Sequence, residues 1–174
     1  NDAGIDIHFF TGNHDMWMFD YFEKELGVTM HRKPIQVDVN DKKLYIGHGD
    51  GLGPGDNSYK ILKRIFANKV CQWLFARLHP NFGIWLANFW SGKSREHNSD
   101  PKRFLGEDKE WLVSYCIELL EKEHFDYFIF GHRHFPIEHL IGKSKYINLG
   151  EWMNDYTYAI FDGTNLELKR FPNS

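Results

Sequence analysis

The sequence predicts a layered α/β domain, and three observations carry that reading. Short runs rich in aromatic and β-branched residues alternate with segments of helical periodicity. Several of those runs stop at a glycine. The chain's 174 residues, 42% of them apolar and 17% aromatic, are enough to bury one sizeable core without division into two domains.

The strands are expected at 5–10 (IDIHFF), 35–39 (IQVDV), 43–47 (KLYIG), 125–130 (FDYFIF), 145–150 (KYINLG), 156–161 (YTYAIF) and 166–171 (LELKRF). A helix is expected over 57–79, where Leu62, Phe66, Val70, Leu74 and Leu78 recur every fourth residue and line one face. A second is expected to start at Asp100 as N-cap, with Pro101 as its first residue, and to reach about Glu123.

Composition also excludes classes of protein. The longest apolar stretches, FDYFIF and GIWLANFW, are far too short to span a bilayer, and no basic-then-apolar leader opens the chain. Cys71 and Cys116 stand apart in helix-like surroundings, against a disulfide framework or a thiolate zinc site and in favour of a reducing cytoplasm. The overall charge of −3 and the lack of a binding motif argue against nucleic acid as a partner.

Three strands end alike. FFTGNHD (9–15), LYIGHGD (44–50) and FIFGHRH (128–134) each run apolar to a glycine and pass at once to residues that bind metals or move protons. Because ligands bind at the carboxyl ends of strands in layered α/β sheets, Asn13, His14, Asp15, His48, Asp50, His132 and His134 are expected to converge. Imidazoles with one amide oxygen and no thiolate suit Mn, Fe, Co or Zn. His132 and His134, two apart, would share a face if extended, so that two neighbouring metals, or a metal and a substrate, could each take one. Paired metals are a recurring device for displacement at phosphorus.

Gly12-Asn13-His14-Asp15, Gly47-His48-Gly49-Asp50 and Gly131-His132-Arg133-His134, in that order, resemble the last three signature blocks of the calcineurin-like metallophosphoesterases, and the resemblance covers nearly the whole chain. It implies an α-β-β-α sandwich. It implies two divalent metals, manganese first with Fe, Co or Zn as alternatives, ligated by Asn13, His48 and His132 on one side and His134 on the other. His14 would face the phosphoryl group as electrophile or general acid, oriented by Asp15. The family's two earlier blocks, Asp-x-His and a Gly-Asp turn, are not in this sequence. The chain is therefore expected to be an N-terminally truncated domain that by itself binds metal weakly and hydrolyses little.

Between the second and third blocks lies an insertion, about 57–100, with its own charge. From Asn57 to Leu105 nine Lys and Arg face only Glu96 and Asp100, a local +7 that leaves −10 for the remainder. A basic, aromatic segment with Phe82, Trp85, Leu86, Phe89 and Trp90 invites an anionic substrate or an anionic lipid surface. HGDGLGPGD, the apolar–basic insertion and SREHNSD resemble the UDP-2,3-diacylglucosamine pyrophosphohydrolase family of lipid A biosynthesis. That resemblance implies cleavage of a lipid-linked UDP-sugar to lipid X and UMP on the cytoplasmic face of the bacterial inner membrane. The helical insertion would act as a cap over the acyl chains, with Asp56, Ser94 and Asn98 as head-group contacts and Arg95 and Lys93 as phosphate partners. Two departures stand out: His14 replaces the Arg of the family's best-known branch, and Ser91 falls where that branch uses a basic residue. A general calcineurin-like phosphodiesterase or phosphatase, and a non-catalytic membrane-docking module, are the alternative readings.

Overall fold

A computed structural model describes residues 4–54, 57–97 and 103–172, with the backbone alone for Ser58 and for residues 90–97. In chain order the elements are β1 (His8–Phe10), α1 (Tyr21–Leu26), β2 (Thr29–His31), β3 (Ile35–Val39), β4 (Lys42–Gly47), α2 (Asn57–Ala67), α3 (Lys69–Phe75), α4 (Pro80–His97), α5 (Trp111–Leu120), β5 (Tyr127–Phe130), β6 (Pro136–Ile141), β7 (Ser144–Leu149), β8 (Thr157–Phe161) and β9 (Leu166–Arg170). They fall into two compact units, 1–55 with 103–174, and 56–102.

The first unit is built on a five-stranded mixed sheet ordered β3-β4-β5-β7-β6. Its three central strands run parallel, and hairpins add β3 and β6 antiparallel at the edges. The β3–β4 hairpin turns through Asn40 and Asp41, both at positive φ, residue types whose short polar side chains tolerate that region.

Side-chain alternation along the parallel strands sends residues to opposite faces, and both faces are covered. On one, Tyr45, Phe128, Phe130 and Tyr146 pack against Leu112, Val113 and Cys116 of α5. On the other, Leu44, Ile129 and Ile147 pack against Leu166 of β9, flanked by Ala159 and Phe161 of β8. Fully burying one such Leu, Val or Phe contributes about 1.5–3 kcal/mol, and the register is fixed because a one-residue slip would carry every one of them to the opposite face, against the wrong partners. Burial also pushes the free Cys116 thiol far above its ordinary pKa.

Strand β1 lies apart from this sheet among the described residues. It pairs in parallel only with β2, His8 opposite Thr29 and Phe10 opposite His31, and the backbone bond from Thr11 N–H to His31 O (2.9 Å) extends the pair. The His8 and His31 rings stack and are joined by a 2.8 Å nitrogen–nitrogen hydrogen bond; desolvation, then the neighbouring His8, lower the pKa of His31.

In the second unit the helix expected over 57–79 is two helices. Asn68 adopts an extended conformation, and its side-chain oxygen accepts from Val70 N–H (2.9 Å) and Cys71 N–H (3.2 Å). An Asn at this point restarts the helix instead of continuing it. The helix expected from Asp100 is shorter, starting at Trp111 after a turn at 107–109; Asp100 and Pro101 lie outside the described residues. Three described elements of the first unit have no counterpart among the expected ones. The three-residue β2 and six-residue α1 are too short to show a period, and β6 opens on Pro136, a strand position proline tolerates at a sheet edge.

Candidate functional site

The centre of the site follows from strand register. Parallel β4 and β5 lie with Gly47 opposite Phe130, so the two chains leave the sheet at the same level, and Gly131 N–H donates to His48 O (3.0 Å) one step further on. The rings of His48 and His132 consequently lie side by side, centroids 5.1 Å apart at 64°. Sequence places them 84 positions apart; one ladder makes them neighbours.

The Gly12–Asn13 turn reaches the same place. A Cβ built at the buried Gly12 would strike the His48 ring, nearest to Nε2, so only glycine allows this approach. The other ring nitrogen is already engaged, since His48 Nδ1 lies 2.9 Å from Oδ1 of the buried Asp50. With the carboxylate accepting, Nδ1 is the donor, which in a neutral ring leaves the lone pair on Nε2, the nitrogen on the side of Gly12. A carboxylate that fixes the tautomer of an imidazole is a recurring support for metal-binding histidine.

The third block is held from behind. His132 and His134 both have positive φ, 68° and 50°, unusual for histidine and the kind of strain that clusters at functional sites. Between them Arg133 turns inward: its Nη2 donates to Glu110 Oε1 (2.9 Å), with both side chains at 0% exposure, and to Arg103 O (3.4 Å). Its guanidinium lies 5.2 Å from the centroid of the Trp111 ring, which in turn meets His132 edge to face at 6.1 Å. Buried Asn148, on the neighbouring β7, donates from Nδ2 to Gly131 O and accepts at Oδ1 from Gly150 N–H (3.2 Å). Glu110 and Asn148 carry no local sequence signal as site residues. Only the strand order and the start of α5 bring them beneath the histidines.

The loop after the first block is pinned as well. Arg32, just beyond β2, donates to the carbonyls of Met18 (3.0 Å), Phe19 (2.9 Å) and, more distantly, Met16 (3.4 Å).

The structure thus brings His48, Asp50 and His132 together with the turn that carries Asn13. His14 and His134 are exposed, and among the described residues no hydrogen bond joins Asp15 to His14. Nor, among the described residues, do three His, Cys, Asp or Glu side chains form a ready metal cage. The donor set present, two imidazoles beside an amide turn, fits part of a transition-metal site. Of the expected head-group contacts, Asp56 and Asn98 lie outside the described residues, and Ser94, Arg95 and Lys93 are placed only as backbone of α4. Earlier on that helix Phe82, Trp85 and Phe89 stack in sequence at 5.6 and 5.8 Å, each about half exposed. No helix among the described residues is long and apolar enough to cross a membrane.

No family model matches the chain. Curated relatives do. A UDP-2,3-diacylglucosamine hydrolase of Porphyromonas gingivalis is 34% identical over 184 aligned positions, covering 97% of this chain and 70% of the relative. The enzyme of the same name from Yersinia enterocolitica is 27% identical over 97% of this chain and 71% of its own length, and that from Aeromonas salmonicida 29% over 86% and 59%. Among solved structures, a Thermotoga maritima protein determined by solution NMR covers 93% of this chain and 64% of its own, at 16% identity and a TM-score of 0.38, too slight a likeness to argue from. With one position in three identical across almost its whole length to a relative of which it spans more than two thirds, the chain is a hydrolase and belongs to the family of UDP-2,3-diacylglucosamine hydrolases.

Proposed function

We propose that the chain forms most of a dinuclear, metal-dependent phosphohydrolase that cleaves the pyrophosphate of UDP-2,3-diacylglucosamine to lipid X and UMP, a step of lipid A biosynthesis. The observation that supports this most directly is the His48–His132 pair at the ends of adjacent parallel strands, with Asp50 on Nδ1 of His48 and Nε2 turned to the Gly12–Asn13 turn. The names of the relatives supply the substrate.

In this reading Nε2 of His48, an imidazole nitrogen of His132 and the amide oxygen of Asn13 hold one metal, and His134 contributes to the second. Bound there, two divalent ions, manganese or else Fe, Co or Zn, supply an activated water and neutralise charge on the pyrophosphate oxygens. Asp50 keeps His48 in the tautomer that offers Nε2. His14, exposed beside the site, donates a hydrogen bond or a proton to a phosphoryl oxygen as the P–O bond to the departing phosphate breaks, with Asp15 orienting it. The unit 56–102 serves as a cap, its Phe82–Trp85–Phe89 stack taking acyl carbons and its basic residues facing an anionic membrane surface, so that the protein works peripherally on the cytoplasmic face of the inner membrane. The first unit would be the larger part of the α-β-β-α sandwich.

The test is release of UMP from UDP-2,3-diacylglucosamine by the full polypeptide, after chelation and with each metal restored. Metal-restored UMP release supports the proposal. Hydrolysis of small phosphodiesters alone, or UMP release indifferent to chelation, overturns it.

A further inference from the structure

We propose that Trp152 is a stacking platform for the uracil ring of the substrate, an assignment that rests on the nucleotide-sugar reading above. Trp152 follows β7, whose carboxyl terminus lies at the same end of the sheet as those of the parallel β4 and β5. Asn148 of β7 touches the carbonyl of Gly131, next to His132. Trp152 is four residues further on, within about 14 Å of Asn148 even if the chain were fully extended. A nucleoside diphosphate with its phosphates at the histidines reaches that far.

The turn that carries the indole is built to hold it still. Glu151 accepts from the Met153 N–H (2.9 Å) and from the Asn154 side-chain amide (2.5 Å), and Tyr156 closes the turn at a φ of 50°. Three rings from the β8–β9 hairpin and its flanks brace the indole: Tyr156 at 6.0 Å and 79°, Tyr158 at 6.4 Å and 64°, Phe171 at 6.1 Å and 55°. All three meet it at steep angles and none lies parallel, while 54% of Trp152 stays open. A large apolar side chain fixed by its neighbours yet half exposed is a surface made for a flat partner, and parallel stacking is the arrangement its described neighbours leave untaken. Of the substrate's parts, the acyl chains call for a groove and the pyrophosphate for charge; uracil is the flat ring.

The experiment compares Trp152→Ala and Trp152→Phe with the unaltered full polypeptide, using UDP-2,3-diacylglucosamine, a small chromogenic phosphodiester without a base, and UMP as competitive inhibitor. Trp152→Ala should raise KM for the nucleotide substrate and Ki for UMP together by roughly 10-fold, within the range that base–aromatic stacking covers. It should leave kcat and the chromogenic reaction nearly unchanged, and Trp152→Phe should restore most of the loss. If Trp152→Ala does not fold, Trp152→Leu keeps the apolar filling while removing the flat face, and the same shifts are read there. Unchanged Ki for UMP, or equal losses on both substrates, overturns the assignment. If the unaltered protein releases no UMP from the nucleotide substrate, the proposed function fails instead, a separate result.

Discussion

Arg133 donates from Nη2 to Glu110 Oε1 at 2.9 Å with neither side chain exposed, and it does so from between the two histidines of the third block. A buried pair of this kind is weak as a source of stability but costly to break, because one lost partner strands a charge in the core. Arg133→Met alone should therefore destabilise the protein by about 3–5 kcal/mol in chemical denaturation, and the double change Arg133→Met with Glu110→Leu should recover much of that. If the double variant is as stable as the parent yet hydrolyses poorly, the pair's role is to aim His132 and His134.

The contact of Gly12 with His48 gives a sharper test of the site. Gly12→Ala places a methyl against Nε2 while Asp50 holds the other side of the ring, so the imidazole must give way. Metal affinity, read by calorimetric titration of manganese, should fall well beyond any change in thermal midpoint. Asp50→Asn should weaken metal binding by about 10- to 100-fold, the scale of loss for an outer partner of a metal-binding histidine. Unaltered affinity in both would remove His48 from the proposed metal site.

His14 separates binding from chemistry. His14→Ala should leave metal content nearly unchanged and lower turnover by about 100-fold or more, as for one positioned acid or charge stabiliser. Parallel loss of metal and rate would make His14 a ligand.

On α4 the exposed stack of Phe82, Trp85 and Phe89 should matter only for lipid. Each buried methylene is worth about 0.8 kcal/mol, so Trp85→Ala or Phe89→Ala should raise KM for long-chain UDP-diacylglucosamine and blunt the dependence on chain length, with a small chromogenic diester barely affected. Equal losses on both substrates would mark the aromatics as packing.

Asp126 sets an acid limit on stability. Burial raises its pKa and is the largest single influence, but the backbone N–H of Lys43 (2.9 Å) and the ammonium of Lys42 (3.0 Å) together outweigh it and leave the carboxyl below its ordinary value. A carboxyl that ionises more readily folded than unfolded contributes fully above the usual carboxylate range and loses its contribution as pH falls through the folded pKa. Asp126→Asn should accordingly lower the thermal midpoint at pH 7 and make little difference at about pH 2. A gap of constant size would assign the effect to shape instead of charge.

The sequence by itself determined the strands of the central sheet other than β6, the mixed α/β character of the chain, and the blocks ending at Gly12, Gly47 and Gly131. These are legible because they rest on local chemistry: β-branched and aromatic content, and glycine where the chain turns. Only the tertiary structure decided which of those blocks meet. The parallel pairing of β4 with β5 sets His48 beside His132, the missing Cβ of Gly12 admits the first turn, and the order of β7 next to β5 brings Asn148 under Gly131. Glu110 and Trp152 were silent in the sequence for the same reason. A glutamate before a helix and a tryptophan after a strand look ordinary, and their roles arise from residues 23 positions away in Arg133 and from the far hairpin that braces the indole. Local pattern fixes what each segment can become; long-range pairing, whose partners are set by packing both faces of one sheet, decides which side chains share a site.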